Sequence, residues 1–355
     1  MADLTAPSIN VSFKEAAASV KTSGTRSVLA IVVTEAGVED TTVYTLNSIA
    51  DIPSGITTAN AGYVTRAFIG GDMAPTRILL CVSDSLANGL SEMKKHSFAW
   101  IVGPHDMSSS DITTFITWIK GCWTDGNCVR AIVPNNTADF AGIVNLATDA
   151  IVGTDGTEYT AATYMSRIAG LICGTEASKS ITNAELTDLK SVTAKSMTDI
   201  NNAIKEGKLV LVDDGEKVKI SRGVTSITTM TGYTEAYKKI RLVDIICTIK
   251  SELKKLINDK YIGKFVNTYD NKCALVAAIE DYLTGIAAEG MIEDASSSEI
   301  DVEAQRAWLI TNVDPKAKDW SDDAVKQANT GSKVFVKCAI SLLDAVEDVE
   351  IAVEY

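Results

Sequence analysis

The sequence predicts the α/β class (α+β overall), with a layered α/β main domain followed by an α+β C-terminal domain. Three observations carry this. Short apolar runs, SVLAIVV (27–33), TRILLCV (76–82), FAWIVGP (98–104) and VRAIVP (129–134), alternate with helix-patterned segments. Such runs mark strands of a largely parallel sheet buried on both faces. Leu242, Val243, Ile246, Ile249, Leu253, Leu256 and Ile257 recur at helical spacing, which predicts a long amphipathic helix over about 235–260. Both chain ends alternate in single steps. Ile9, Val11 and Phe13 alternate with polar residues, and Val349, Ile351, Val353 and Tyr355 alternate with Glu350, Ala352 and Glu354. That period is a strand's, so a strand-forming arm is expected at each end.

In chain order, the four buried strands are joined by helices expected over 58–68, 85–96 and 108–122. The last opens on Ser and Asp and continues with Ile112, Phe115, Ile116 and Ile119. A helix rich in small residues is expected over 157–173 and a short one within 181–189. A further helix over 196–207 is closed by Gly207. Two alternating runs flanking Asp214-Gly215 predict a hairpin over 208–229. After the long helix comes a second, 272–288, with Leu275, Ile279, Leu283 and Ile286. An acidic stretch over 289–330 reads as irregular, and 333–342 alternates as a strand. The domains expected are an N-terminal arm (1–20), the main domain (21–235), the C-terminal domain (236–345) and a C-terminal arm (346–355).

At 355 residues the chain is long enough for about two domains. Its net charge of −13 disfavours phosphate backbones and anionic lipid, so neither nucleic acid nor a membrane is an expected partner. The N-terminus lacks the basic start and apolar run of a secretory signal. Seven widely spaced cysteines form no CxxC pair, so neither a zinc site nor a disulfide framework is signalled.

Catalytic motifs are scarce. There are two histidines, and no GxSxG elbow, GxGxxG or GxxxxGK[ST]. His105 follows Gly103-Pro104 at a strand end, where α/β enzymes place catalytic groups, but nothing marks a paired nucleophile. A soluble cytoplasmic α/β enzyme using this loop, or the one at Asp155-Gly156, is the alternative reading. No catalytic residue, metal ligand or cofactor is assigned.

Two features depart from background. Residues 236–264 hold eight basic and three acidic side chains, a net of +5 that leaves −18 for the rest. They form either the solvated face of a helix or a docking surface for an acidic protein. The strand-patterned ends either fold back onto their own sheet or add a strand to a neighbour's sheet edge. Donation at both ends does not close on itself and generates filaments or tubes.

The run GKLVLVDDGEKVKISRGVTSITT, the long helix, and KYIGKFVNTYDNKCALVAAIEDYLTGIAAEGMI together resemble the tail sheath proteins of contractile phages. The likeness is strongest to sheaths of Gram-positive myophages and phage-tail-like bacteriocins. TEYTAATYMSRIAGLICGT looks like the family's helix before that core. The resemblance covers roughly 155–355 well, and 1–155 by pattern. It implies a main domain likened to subtilisin but non-catalytic, a C-terminal domain facing an inner tube, and arms that pair with neighbouring subunits. The implied pairing residues are Ile9, Val11, Phe13, Val349, Ile351 and Val353, and the candidate tube contacts are Lys250, Lys254 and Lys255. The implied function is that of a structural subunit in a helical homopolymer that contracts around its tube, and another tail component, tube or baseplate, stands beside the enzyme as an alternative. The implied partners are the inner tail tube protein and baseplate and tail terminator proteins. Assembly is expected in the bacterial host cytoplasm, followed by release in a particle, either virion tail or tailocin.

Overall fold

The structure is a computed structural model that describes residues 27–148, 150–294 and 296–354. The expected N-terminal arm, with Ile9, Val11 and Phe13, lies outside the described residues. The described residues divide into two compact units, one of 27–248 together with 345–354, the other of 249–344. The division falls inside the long helix.

The first unit is built on β1 (Val28–Thr34), β2 (Thr42–Leu46), β3 (Arg77–Ser83), β4 (Trp100–Val102), β5 (Arg130–Pro134) and β6 (Ile143–Leu146). It also holds a small sheet of β7 (Ile151–Gly153), β8 (Glu158–Tyr159) and β9 (Leu189–Ser191). Then come β10 (Lys208–Leu209), which joins the main sheet, and the hairpin of β11 (Leu211–Asp213) and β12 (Val218–Ile220). Among the described residues the main sheet has seven strands in the order β10-β6-β5-β4-β1-β3-β2, parallel except for the β2–β3 pair.

Its two faces explain why the strand sequences are unbroken apolar runs. Leu29, Ile31 and Val33 of β1 face α1 (Thr58–Ala67) and α4 (Ala161–Gly174). The alternate Val28, Ala30 and Val32 face α2 (Leu86–Met93) and α3 (Ser109–Thr124). A strand alternates sides at every residue, so burial on both faces leaves no polar position. α4 is buried nearly all round, and its small residues allow a close approach. A Cβ on Gly170 would lie 2.0 Å from the Ala67 carbonyl oxygen of α1.

α5 (Met197–Lys205) precedes β10, and α6 (Ile240–Lys260) is the long helix. The first turns of α6 are buried on every side, including Arg241 and Asp244. Asp244 accepts hydrogen bonds from Trp100 and Arg130. These turns thus belong to the core of the first unit, which places the division beyond them.

The second unit holds α7 (Tyr269–Ala288), β13 (Ser297–Ile300), α8 (Val302–Asn312), α9 (Asp322–Gln327) and β14 (Val336–Ala339). β13 and β14 pair antiparallel. Leu309, Ala317 and Val325 form a small core among these helices. The buried Lys272 ammonium donates to Ala328 O at 2.9 Å and Gln305 Oε1 at 3.3 Å.

Two expectations are corrected. The stretch 289–330 is not irregular, because its polar residues cap helices. Asp301 Oδ1 accepts from Ala304 N at 2.8 Å to start α8, and the Ser321 hydroxyl accepts from Ala324 N to start α9. No helix forms within 181–189. There Asn183 N and Leu186 N donate to Ile220 O and Val218 O, so the backbone pairs with β12 instead. Val349, Ile351 and Val353 have no ladder partner among the described residues of one chain, and the expected pairing with a neighbouring subunit is taken up as a proposal below. Strand geometry is stabilised by pairing, and nothing in the described residues supplies it there.

Candidate functional site

The expected site residues fall in three places. Val349, Ile351 and Val353 are 69, 80 and 78 % exposed. This apolar row on an acidic tail has no packing partner among the described residues. Lys250 and Lys254 are half-buried and Lys255 is exposed. Lys255 forms an i,i+4 ion pair with Asp259. The basic segment is not one continuous charged face. Arg241 is buried, Lys238 pairs with Glu235, and Lys239 is engaged by the C-terminal tail.

That engagement is the most elaborate polar cluster of the first unit, and sequence reasoning missed it. Glu347, at the root of the exposed tail, has a side chain only 4 % exposed. Its Oε2 lies 2.8 Å from Lys239 Nζ and 3.2 Å from Arg222 Nε. Its Oε1 accepts from the Ser180 hydroxyl at 2.9 Å and the Thr182 hydroxyl at 2.5 Å. The hydroxyls are themselves oriented. Thr182 N donates to Ser180 Oγ at 3.1 Å, and Gly223 N donates to Thr182 Oγ1 at 2.9 Å. Arg222 also pairs with Asp348. Burial works to raise the Glu347 carboxyl's pKa. The hydrogen bonds from Lys239, Thr182 and Ser180, with the Lys239 charge, outweigh it and hold the group below the usual glutamate value.

The pocket follows from local structure. Ser180 and Thr182 precede or open the 183–186 segment that pairs with β12, and Arg222 lies two residues past the end of β12. Lys239 precedes the start of α6. A buried carboxylate with two cations and two oriented hydroxyls is fully satisfied, the condition under which burying charge is tolerated. No sequence spacing signals four segments that only the fold brings together.

At the strand ends, where the alternative reading places its site, Glu35 and His105 lie among hydrogen-bond and ring contacts. Glu35, following β1, accepts from Thr57 N at 2.6 Å, Thr57 Oγ1 at 2.9 Å and Asn60 Nδ2 at 2.8 Å. It thus sits at the N-terminus of α1, where a carboxylate is favoured. The Tyr63 hydroxyl donates to Gly103 O, and the Tyr63 ring packs edge-on against His105 with centroids 5.5 Å apart. These contacts position helix against sheet and present no paired nucleophile and base. Among the described residues, no helix is long and apolar enough to cross a membrane.

Comparison with known proteins agrees with this architecture. Residues 82–226 match the phage tail sheath protein central domain, and residues 233–355 match the phage tail sheath C-terminal domain. The chain is 31% identical to the tail sheath protein of Clostridium phage phiCD119, over 98% of both chains. In structure it is similar to a sheath tail protein from Listeria innocua, with a TM-score of 0.67 at 12% identity, covering 90% of this chain and 96% of that one. It is also similar to the helical sheath of the anti-feeding prophage in its contracted state, with a TM-score of 0.70 at 12% identity over 99% of each chain.

Proposed function

This chain belongs to the phage tail sheath family, and we propose that it works mechanically, as a helical polymer that contracts around an inner tube. Copies polymerise in a metastable extended state. A baseplate signal lets them slide and rotate into a wider, shorter lattice that drives the tube through a target envelope. The energy comes from newly buried subunit surface, and the arms keep neighbours linked while rigid units repack. The particle is assembled in the host cytoplasm and then released, with baseplate and tail terminator proteins closing its ends.

The observation that carries this reading is the exposed row Val349, Ile351 and Val353 on the C-terminal tail. An exposed apolar segment with strand alternation is suited to pair with a second sheet edge. Contributed by every copy, it links subunit to subunit without closure. In this reading Val349, Ile351 and Val353 form the C-terminal arm, and Ile9, Val11 and Phe13, by their alternation, the N-terminal one. The unit 249–344, which makes up most of the 236–345 region, faces the tube in this reading, with Lys250, Lys254 and Lys255 as its contacts.

Negative-stain electron microscopy of the purified chain tests the reading. Tubes or helical stacks are expected. Small closed oligomers across a range of concentration and salt would overturn it and favour the enzyme alternative.

A further inference from the structure

The tail that is exposed from Val349 onward is held fast two residues earlier. Between Glu347, with its nearly inaccessible carboxylate, and Val349 lies Asp348, which pairs with Arg222 while remaining solvent-exposed. Order thus changes to exposure across two residues.

We propose that Ser180, Thr182, Arg222 and Lys239 form a carboxylate socket that holds Glu347 of the same subunit as a fixed pivot, so that only the residues after Asp348 reach a second copy of this chain. The socket is built for a carboxylate. It offers two hydroxyl donors to one oxygen and two cationic donors to the other, and the hydroxyls are pre-aimed by Thr182 N and Gly223 N. A group held by four charge-assisted contacts resists a neighbour that pulls on the chain beyond it, because opening breaks all four at once and leaves the half-buried Arg222 and Lys239 without their shared anion.

The inference rests on the sheath reading for what the arm reaches, but the pivot itself is testable on the subunit alone. A glutamate-specific protease has sites at Glu347, Glu350 and Glu354. In the folded wild-type subunit, cleavage after Glu350 and Glu354 is expected to be fast and cleavage after Glu347 at least about tenfold slower, as expected for a site that must first break charged hydrogen bonds. Replacing both cations, Arg222→Gln with Lys239→Gln, should bring the Glu347 rate to within about twofold of the Glu350 rate. Circular dichroism checks that the variant is folded. Should the double variant unfold, Arg222→Gln alone is expected to give an intermediate rate. In helical assemblies, Glu347 should stay protected, and the double variant should assemble with a several-fold loss of yield. Equal cleavage after Glu347 and Glu350 in the wild type overturns the pivot, whether or not tubes form. Protected Glu347 in a wild type that never forms tubes keeps the pivot and removes the sheath mechanism.

Discussion

The indole N–H of Trp100 donates to Asp244 Oδ1 at 2.8 Å, joining a central strand to the long helix across 144 positions of sequence. The same oxygen lies 2.5 Å from Arg130 Nη2, and both charged side chains are almost completely buried. Asp244 is therefore the point at which α6 is fastened to β4 and β5. Asp244→Ala leaves the Arg130 charge in the core and should cost about 3–5 kcal/mol. Trp100→Phe removes one hydrogen bond to a charged group, about 1.5–3 kcal/mol, and should be the milder change. Urea unfolding of both variants measures the order. Equal losses would show that packing alone fastens the helix.

Two glycines in helices should respond to alanine with opposite signs. Gly121, in α3, has open space where a Cβ would go, so Gly121→Ala should stabilise by up to about 1 kcal/mol through helix propensity. Gly170 has the Ala67 carbonyl oxygen 2.0 Å from that position. A backbone carbonyl in a neighbouring helix cannot retract as a flexible side chain can. Gly170→Ala should therefore lose about 1–3 kcal/mol, with overpacking exceeding the propensity gain. Thermal melts of the two variants check the sign.

The anchorage of the C-terminal tail should weaken in acid. The Glu347 carboxyl is held below its ordinary value, with Arg222, Lys239 and Asp348 as its charged surroundings. A group with a depressed folded pKa contributes its full stabilisation above the unfolded value of about 4.3 and loses it as pH falls through the folded value. Protection of the tail root is therefore expected to be constant from neutral pH down to about 5 and to fall below about 4. An acid-active protease at pH 3 and 5 reads this directly. Glu347→Gln should abolish the pH step, and its persistence would assign the step to another group.

The main sheet was legible because burial on both faces leaves its strands as uninterrupted apolar runs, β1 and β3 above all. β2 was not read as a strand although TVYTL is rich in β-branched and aromatic residues, because an edge strand whose residues are mostly exposed lacks the unbroken apolar run of its buried neighbours. α8 and α9 escaped for a related reason. Asp301 and Ser321 add polarity where they cap, and few side chains of these short helices are buried. The Glu347 socket had no sequence signal at all. Lys239 counted as one of eight cations in a basic run, yet the fold places it against a carboxylate 108 residues away. Charge counted along a chain says little about charge at a surface when tertiary contacts neutralise it.

That placement changes where an arm truncation should be made. Removing 346–355 deletes Glu347 and leaves Arg222 and Lys239 without their shared carboxylate. Removing 349–355 spares Glu347 and takes a stretch that is exposed from Val349 through Glu354. The shorter deletion is expected to yield a subunit with wild-type unfolding by circular dichroism that no longer forms sheaths. The longer one should also be less stable. Loss of stability from the shorter deletion would show that the tail beyond Asp348 folds back at home.

The final prediction concerns the tube. Exposed ion pairs are worth about 0.2–1 kcal/mol each, weak enough to break during contraction and additive over many symmetry copies. Lys250, Lys254 and Lys255 suit such a contact if an acidic tube surface competes for them. Lys255 must first give up Asp259, an exposed intrahelical pair and therefore a small loss. The triple Glu variant places a carboxylate at 255 one turn from Asp259, so the helix face reverses sign rather than merely losing charge. Co-assembly with tube protein should drop sharply while sheath–sheath contacts still form, and raised salt should reproduce the effect in the wild type. Co-sedimentation with pre-formed tubes across a salt series measures both. A variant that decorates tubes as well as the wild type, with the same salt dependence, would move the tube contact off this face, with the α7 helix as the next candidate.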